Sequence, residues 1–210
     1  WDIETSLLYG SQGSVDDVQY TQGAVDFIVN YGNIFSGSGM GSSGTKAQDD
    51  FLDDMSNFLD PRYNNSNATL FMVSTDVYNW LHKLSGYFSA NVSKVADGSG
   101  GSSTALGRAD FAIGNKKSVF GVDITQIYTP YGVMNVSRNI HLDSTAIKML
   151  AVNMKHCKYR PLVGNGLNRD TAVYVGVQTL ENSGVDRRVD LIQTEAGMEW
   201  QMPESHAVWK

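Results

Sequence analysis

Two neighbouring segments carry most of the information about the fold, "AQDDFLDDMSNFLD" at positions 47–60 and "ATLFMVSTDVYNWLHKL" at positions 68–84. The first places apolar side chains at helical spacing until Pro61 ends the run. The second opens with a short, apolar, β-rich stretch that is typical of a strand, and it continues as another helix. The two helical faces carry Phe51, Leu52, Met55, Phe58 and Leu59, then Val77, Trp80, Leu81 and Leu84. The sequence therefore predicts a helix–strand–helix unit.

A glycine- and serine-rich stretch, "SGSGMGSSGTK" from Ser36 to Lys46, precedes this unit. Gly39, Gly41 and Gly44 have the G-x-G-x-x-G spacing of dinucleotide-binding loops, which lie between a strand and a helix. Such loops also need an acidic residue at a strand end about 20 residues further on. The nearest candidate, Asp76, lies well beyond that distance. A nucleotide site here is therefore an alternative and not the main prediction.

The same stretch also comes close to a phosphate-binding P-loop. Gly39 and Gly44 have the required separation, but the motif then needs lysine followed by serine or threonine, whereas Thr45-Lys46 is reversed. The reversal turns both side chains by about 100° around the first helical turn, so we set the P-loop aside. Thr45 and Gln48 instead have capping-box spacing, and the many serines predict a flexible surface loop.

At its start the chain reads "WDIETSLLYG", which is typical of the last turns of a helix that Gly10 ends. Because a protein rarely begins inside a helix, we expect a further segment before Trp1.

Beyond position 110 the sequence favours strands. "SVFGVDITQIYTPYGVMNVSRNI" predicts two strands joined by a type I turn from Thr129 to Gly132. The alternating "TAVYVGVQTLE" predicts another strand, and "VDLIQTEAGMEWQMPESHAVWK" predicts a strand pair. The pattern is mixed α and β, with a later half rich in strands.

Composition and charge argue against several classes of function. No apolar run approaches the ~20 residues of a membrane span. The net charge of −6, without a basic stripe, disfavours sequence-specific nucleic-acid binding and leaves only weak, non-specific contact with DNA. The single cysteine, Cys157, cannot form an internal disulfide, so folding in the cytosol is the simpler expectation.

The residues that most often carry catalysis or bind metals form no recognisable motif. The histidines lack metal-ligand spacing, and His156-Cys157 is the only adjacent pair of good ligands. Neighbours in sequence point in different directions, and the surroundings of Cys157 match no known nucleophile signature. We therefore assign no catalytic, cofactor-binding or metal-binding residue. The histidines considered are His82, His141, His156 and His206.

Carboxylates and tryptophans that could suggest a site have simpler structural explanations. The aspartates of the first predicted helix alternate with its apolar residues, which places them on its solvated face. Trp80 and Trp200 fall in apolar patterns that favour core packing, whereas Trp1 and Trp209 have no assigned role. The aspartates are Asp49, Asp50, Asp53 and Asp54.

Taken in order, the segments resemble the major capsid protein of tailed bacteriophages, the Hong Kong 97 type that encapsulins share. "IETSLLYGSQG" is similar to the end of that family's spine helix, and "TQGAVDFI" to the entry into its axial domain. The helix–strand–helix unit and "VFGVDITQIYTPYGVMNVSRNIHL" resemble axial-domain elements. "KYRPL" is similar to an element of some capsid subfamilies, and "IQTEAGMEWQMPESHAVWK" to the closing strands. The family's N-terminal arm and extended hairpin are missing from the sequence.

The resemblance implies an α+β fold with an axial domain, a mixed sheet flanked by helices, and a peripheral domain, a spine helix with antiparallel strands. It places the end of the spine helix and a connector at 1–22. The axial domain follows at 23–182, and the C-terminal strands return to the peripheral domain at 183–210. The glycine-rich loops at 36–44 and 97–103 would be adaptable surface or inter-subunit segments.

The resemblance also implies a structural protein without enzymatic activity. Copies of the chain would self-assemble in the host cytoplasm into pentamers and hexamers of an icosahedral virion capsid that encloses double-stranded DNA. Expected partners are further copies, cement, scaffold and portal proteins, and non-specifically contacted DNA, but no membrane. The alternatives are a nucleotide-binding α/β enzyme that uses the loop 37–46, and an encapsulin-like cargo compartment.

Overall fold

A computed structural model of the chain describes residues 2–15, 18–41, 46, 48–64, 69–82, 112–119, 122–164, 166–178 and 188–210. The helices are α1 (Asp2–Tyr9), α2 (Ala24–Tyr31), α3 (Gln48–Phe58) and α4 (75–82). The strands are β1 (Gly13–Val15), β2 (Val18–Tyr20), β3 (Asn33–Phe35), β4 (Thr69–Val73), β5 (Ala112–Val119), β6 (Val122–Thr129), β7 (Gly132–Arg138), β8 (Met149–Asn153), β9 (Cys157–Pro161), β10 (Val163–Gly164), β11 (Leu167–Asn168), β12 (Ala172–Gln178), β13 (Val189–Gln193), β14 (Ala196–Trp200) and β15 (Ala207–Trp209).

These elements form two compact units. Unit 1 comprises 1–26 and 157–200, and unit 2 comprises 27–156 and 201–210. The prediction of a mixed α and β chain is confirmed. The unit boundaries fall at other residues than the predicted ones: 157–182 groups with unit 1, and 201–210 groups with unit 2. Which unit is axial and which is peripheral stays a prediction.

Unit 2 is built around a seven-stranded mixed sheet with the order β3-β15-β8-β4-β7-β6-β5. The pairs β15–β3 and β4–β7 are parallel, and the other neighbours are antiparallel. The predicted apolar strand is β4, which lies between β8 and β7. The predicted β6–β7 hairpin is also present, with Thr129 paired to Gly132 across Pro130 and Tyr131.

The helix–strand–helix prediction is confirmed in the described part of the chain. All five predicted core residues of the α3 segment are buried, and so are Val77, Trp80 and Leu81 of α4, whereas Leu84 lies outside the described residues. They pack with alternate residues of β4, β7, β8 and β15, so one face of the sheet meets the apolar faces of both helices. Side chains return to the same face about every 3.6 residues in a helix and every 2 residues in a strand, so the apolar residues of each element share one face.

Trp209, which has no assigned role in the sequence, is the largest fully buried side chain. Its ring stacks on Phe35 with centroids 4.9 Å apart and meets Phe58 edge-on at 5.9 Å. Its strand, β15, joins the short parallel strand β3 to β8. The end of the chain is therefore part of the core of unit 2.

His206 is a buried histidine beside this strand. Its Nδ1 accepts a hydrogen bond from the backbone N–H of Asn153 at 3.1 Å, so Nε2 carries the proton and donates to the carbonyl of Gln201 at 3.0 Å. Burial lowers the pKa of His206 below its usual 6.5, the hydrogen bond to the Gln201 carbonyl opposes this shift, and nearby His156 adds to it. The neutral ring is therefore the form that fits this position.

We expect protonation of His206 to destabilise the subunit as the pH falls below 6.5. The unfolded chain takes up the proton first, because the folded pKa is the lower one, so stability that is present above pH 6.5 is lost as the pH falls from 6.5 towards that lower pKa. The loss is at most about 1.4 kcal/mol per pH unit. Urea unfolding of the wild type and of His206→Gln at several pH values checks this. A curve for His206→Gln as steep as that of the wild type would contradict it.

Among its described residues, unit 1 contains four two-stranded sheets: β1–β2, β10–β11, β12–β13 and β14–β9. The strands predicted as a closing pair exist as β13 and β14, but they do not pair with each other. β13 pairs with β12, and β14 pairs with β9. Trp200, predicted as a core residue, is only half-buried, and its Nε1 donates to the carbonyl of Gln22 at 3.3 Å. At the predicted helix end, the N–H of Gly10 donates to the carbonyl of Ser6, which closes α1.

Candidate functional site

The described part of the glycine-rich stretch packs against unit 2 and is not a free surface loop. Gly37, Met40 and Gly41 are buried, and Met40 belongs to the hydrophobic core. The prediction of a surface position is therefore wrong for Gly37, Met40 and Gly41, whereas Ser36 and Ser38 are exposed as predicted. Residues 42–45, with Gly44 and the cap residue Thr45, lie outside the described residues, as does the second predicted loop at 97–103.

Lys46, the lysine of the glycine-rich stretch, is already paired. Its ammonium lies 2.6 Å from Asp54 Oδ2 and 2.6 Å from the carbonyl of Ser36, and its side chain is 6% exposed. The same Asp54 oxygen accepts from Trp209 Nε1 at 3.0 Å. Asp54 is therefore structural, and its predicted place on the solvated face is wrong, whereas Asp49, Asp50 and Asp53 are exposed as predicted. The arrangement gives no support to a phosphate site.

The histidine and cysteine candidates form no metal-binding group in the described part of the chain. Within the described ranges, no three His, Cys, Asp or Glu side chains are close enough to hold a metal ion. Burial raises the pKa of the Cys157 thiol to about 11, so the thiol is protonated at neutral pH. Its neighbour His156 is half-buried, and the ring of His82 packs against Tyr78 with centroids 4.5 Å apart. Trp80 is buried in the core, as predicted.

The most unusual surface of the described chain is the two-stranded ribbon formed by β12 and β13. Five of its large apolar side chains are exposed by about half or more, and none has the burial expected for a strand that covers a core. They are Val173 (60%), Tyr174 (49%), Val175 (61%), Leu191 (49%) and Ile192 (67%). An isolated two-stranded ribbon is marginally stable in water at best. Such a surface indicates contact with another molecule.

Strand pairing divides these side chains between the two faces of the ribbon. Val173 lies opposite Ile192, and Tyr174 lies opposite Leu191, and directly opposed residues share a face. Val175 lies inside a register shift between Tyr174 and Gln178, so the pairing assigns it to neither face. The first face therefore carries Val173 and Ile192, and the second carries Tyr174 and Leu191. Both faces are apolar.

Polar groups fix the shape of the ribbon at a break in its pairing. The register shifts between Tyr174 and Gln178, where Gly176 adopts a φ of +68° that strongly favours glycine. The Gly176 N–H donates to Asp190 Oδ1 at 3.0 Å, and Arg188 Nε donates to the same oxygen at 2.9 Å. The hydrogen bonds from Arg188 and Gly176 lower the pKa of Asp190. The carboxylate therefore stays charged and holds the bulge.

Further exposed apolar residues lie next to the base of the ribbon. Leu162 and Val163 are 53% and 66% exposed, and they line a groove of about 830 Å³ together with Tyr20, Thr21 and the Gln193–Gly197 stretch. Ion pairs flank this part of unit 1: Arg160 with Glu199 at 2.6 Å, and Arg169 with Glu195 at 2.9 Å. The charged residues that line the groove, Arg160 and Glu195, are therefore each held in an ion pair.

The two strands of the ribbon are predictable from the sequence, but their exposure is not. The segment "TAVYVGV" carries apolar residues at successive positions, so the sequence does indicate a strand without a polar face. The same pattern also fits a strand that is buried on both sides. Only the structure separates the two cases.

No helix within the described residues is both long and apolar enough to span a membrane. None of the curated proteins matches the chain. The family described as "SU10 major capsid protein" matches it over residues 1–210. The match agrees with the resemblance seen in the order of the segments. Because it spans the whole chain, the chain belongs to the SU10 major capsid protein family and is a structural coat protein of a phage virion.

Proposed function

We propose that this coat protein builds an icosahedral head of the Hong Kong 97 type, in which pentamers and hexamers enclose double-stranded DNA. Unit 2, with its mixed sheet and helices α3 and α4, would be the axial domain. Unit 1, with α1 and the two-stranded sheets, would be the peripheral domain. In this arrangement α1 is the end of the spine helix.

The path of the chain is the observation that carries this proposal. The chain leaves unit 1 inside α2, builds most of unit 2, returns to unit 1 at Cys157, and ends in unit 2 with β15. Departure from unit 1 and return to it support an axial domain inserted into a peripheral one, whereas 201–210, predicted to lie in the peripheral domain, group with unit 2. The chain crosses between the two units several times. Such connections suit a shell subunit, because a change at a contact of one unit can be transmitted to the other.

The acidic net charge fits a protein that encloses DNA without binding it tightly. With a net charge of −6, few phosphates are neutralised, so packaged DNA can move past the inner surface. We infer that the protein catalyses no reaction and that assembly takes place in the host cytoplasm. Cement, scaffold and portal proteins are the expected further partners.

Expression of the full-length coat protein tests this proposal. We expect particles that sediment much faster than free subunits and that are closed shells by negative-stain electron microscopy. These particles should replace the free subunits or exist in equilibrium with them. Nucleic acid inside particles from infected cells, and not a cargo enzyme, is expected of a phage head. A protein that remains a monomer across salt, pH and crowding conditions would contradict the proposal.

A further inference from the structure

We propose that the β12–β13 ribbon of each subunit is held between surfaces of neighbouring copies of the same chain, and that both of its faces are buried on assembly. This inference rests on the proposed assembly and goes beyond it, because it names the contact element and the number of surfaces that it meets.

The exposed area is the first argument. The five apolar side chains of the ribbon are about half exposed or more, on the order of 100 Å² each, which gives roughly 500 Å² per copy. A patch of this size is at the upper end of what monomeric proteins expose. Covering both faces with an equal area of partner surface removes about 1,000 Å² from water in total, or roughly 500 Å² on each side, so each side forms part of a larger contact between subunits.

The distribution over two faces is the second argument. Val173 and Ile192 point to one side of the ribbon, and Tyr174 and Leu191 point to the other. A single flat partner surface covers one face and leaves the other in water. Burial of both faces therefore needs two surfaces, one on each side.

Charge decides the kind of partner. Identical subunits of net charge −6 repel one another wherever their acidic surfaces meet. The ribbon avoids this repulsion, because its acidic residue Asp190 is paired with Arg188 at 2.9 Å within the same strand region. An apolar surface with its own charges neutralised is suited to contact an identical acidic copy. A basic or DNA-like partner would gain nothing from it.

A receiving surface is available in the same unit of the neighbouring copy. Leu162 and Val163 are exposed apolar residues beside a groove, and the ion pairs near that groove are internally balanced. The ribbon is also shaped before contact, since Gly176 and Asp190 fix its bulge. A preshaped element loses little conformational entropy when it docks.

Face-specific substitutions test the proposal in the full-length coat protein. Val173→Asp places a charge on the first face and Leu191→Asp places one on the second. Ala146→Asp is the matched control, which adds the same charge at an exposed position of unit 2 without removing a large apolar side chain. We expect each ribbon variant alone to lower the yield of closed particles at least tenfold, and the control to change it less than twofold.

Folding of the free subunit is measured in parallel, by circular dichroism and thermal melting. We expect melting temperatures of the ribbon variants within a few degrees of the wild type, because the replaced side chains are exposed in the subunit. If an aspartate variant fails to fold, Val173→Thr keeps the shape and lowers the apolarity, and a smaller loss of particles is then expected. Hydrogen exchange adds a direct readout: amides of 172–176 and 189–193 should be slower to exchange in particles than in free subunits.

Assembly at wild-type yield by both ribbon variants would overturn the proposal and assign the ribbon to another partner, such as a separate decorating protein. Sensitivity at one face only would overturn the two-sided contact. If the wild-type protein itself forms no particles, the proposed head-building function fails, and this inference falls with it. If the wild-type protein forms particles and only the ribbon variants lose them, the head-building function holds and the loss is due to the ribbon contact.

Discussion

Replacement of Asp54 by alanine is expected to destabilise the subunit by about 3–4 kcal/mol, because it removes the carboxylate that two buried donors share. The Lys46 ammonium, 2.6 Å away and almost fully buried, would keep its charge without a counter-ion. The Trp209 Nε1–H, 3.0 Å away, would lose its hydrogen bond as well. The free energy of unfolding, from urea titration of the free subunit at pH 7, measures the effect.

Asp53 provides the matched control, since it lies on the same helix and is exposed. Asp53→Ala should change stability by less than about 0.5 kcal/mol. Asp54→Asn should fall between the two, because the amide oxygen still accepts hydrogen bonds but carries no charge. Equal effects of Asp54→Ala and Asp53→Ala would show that the pair with Lys46 does not stabilise unit 2.

The second large effect is expected for Trp209→Ala, at about 3–5 kcal/mol. The indole is fully buried between Phe35 and Phe58, and its removal leaves a large cavity in the centre of the core. Trp209 also lies in a strand that has paired neighbours on both sides.

Trp200→Ala removes the same side chain from a half-buried position and is the natural comparison. We expect it to cost clearly less than Trp209→Ala in the same urea titration. A cost for Trp200→Ala equal to or above that for Trp209→Ala would contradict this expectation and place the main tryptophan anchor in unit 1. Because Asp54 and Trp209 are in contact, their effects should not add in the double variant.

Local periodicity accounts for the parts of the fold that sequence predicted well. The apolar residues of α3 recur at helical spacing and end before Pro61, and those of β4 form a short uninterrupted strand. Each signal lies within about a dozen residues, so no knowledge of distant partners is needed. The hairpin at Thr129–Gly132 is local for the same reason.

Pairings between distant residues account for what sequence missed. Asp54 belongs by pattern to a solvated face, but it accepts from Trp209, 155 residues away. The insertion of β15 between β3 and β8 likewise joins residues near 35, 150 and 208. No local pattern encodes such neighbours, so the buried role of Asp54 and the place of the last strand became visible only in three dimensions.

The candidate contact surface escaped prediction for a different reason. An apolar strand is favoured equally by burial in its own core and by burial against another copy, so "TAVYVGV" does not reveal which applies. The exposed fractions of Val173 and Ile192, 60% and 67%, separate the two. For a shell protein, therefore, the informative residues are apolar ones that the subunit itself leaves uncovered.

Electron cryomicroscopy of particles formed by the full-length coat protein is the decisive experiment. We predict closed shells with five-fold and six-fold groups of subunits, in which β12–β13 of each copy lies between residues of neighbouring copies and has both faces out of contact with water. Shells in which the ribbon projects freely into solvent, or a coat protein that stays a single subunit under all assembly conditions, would contradict this prediction.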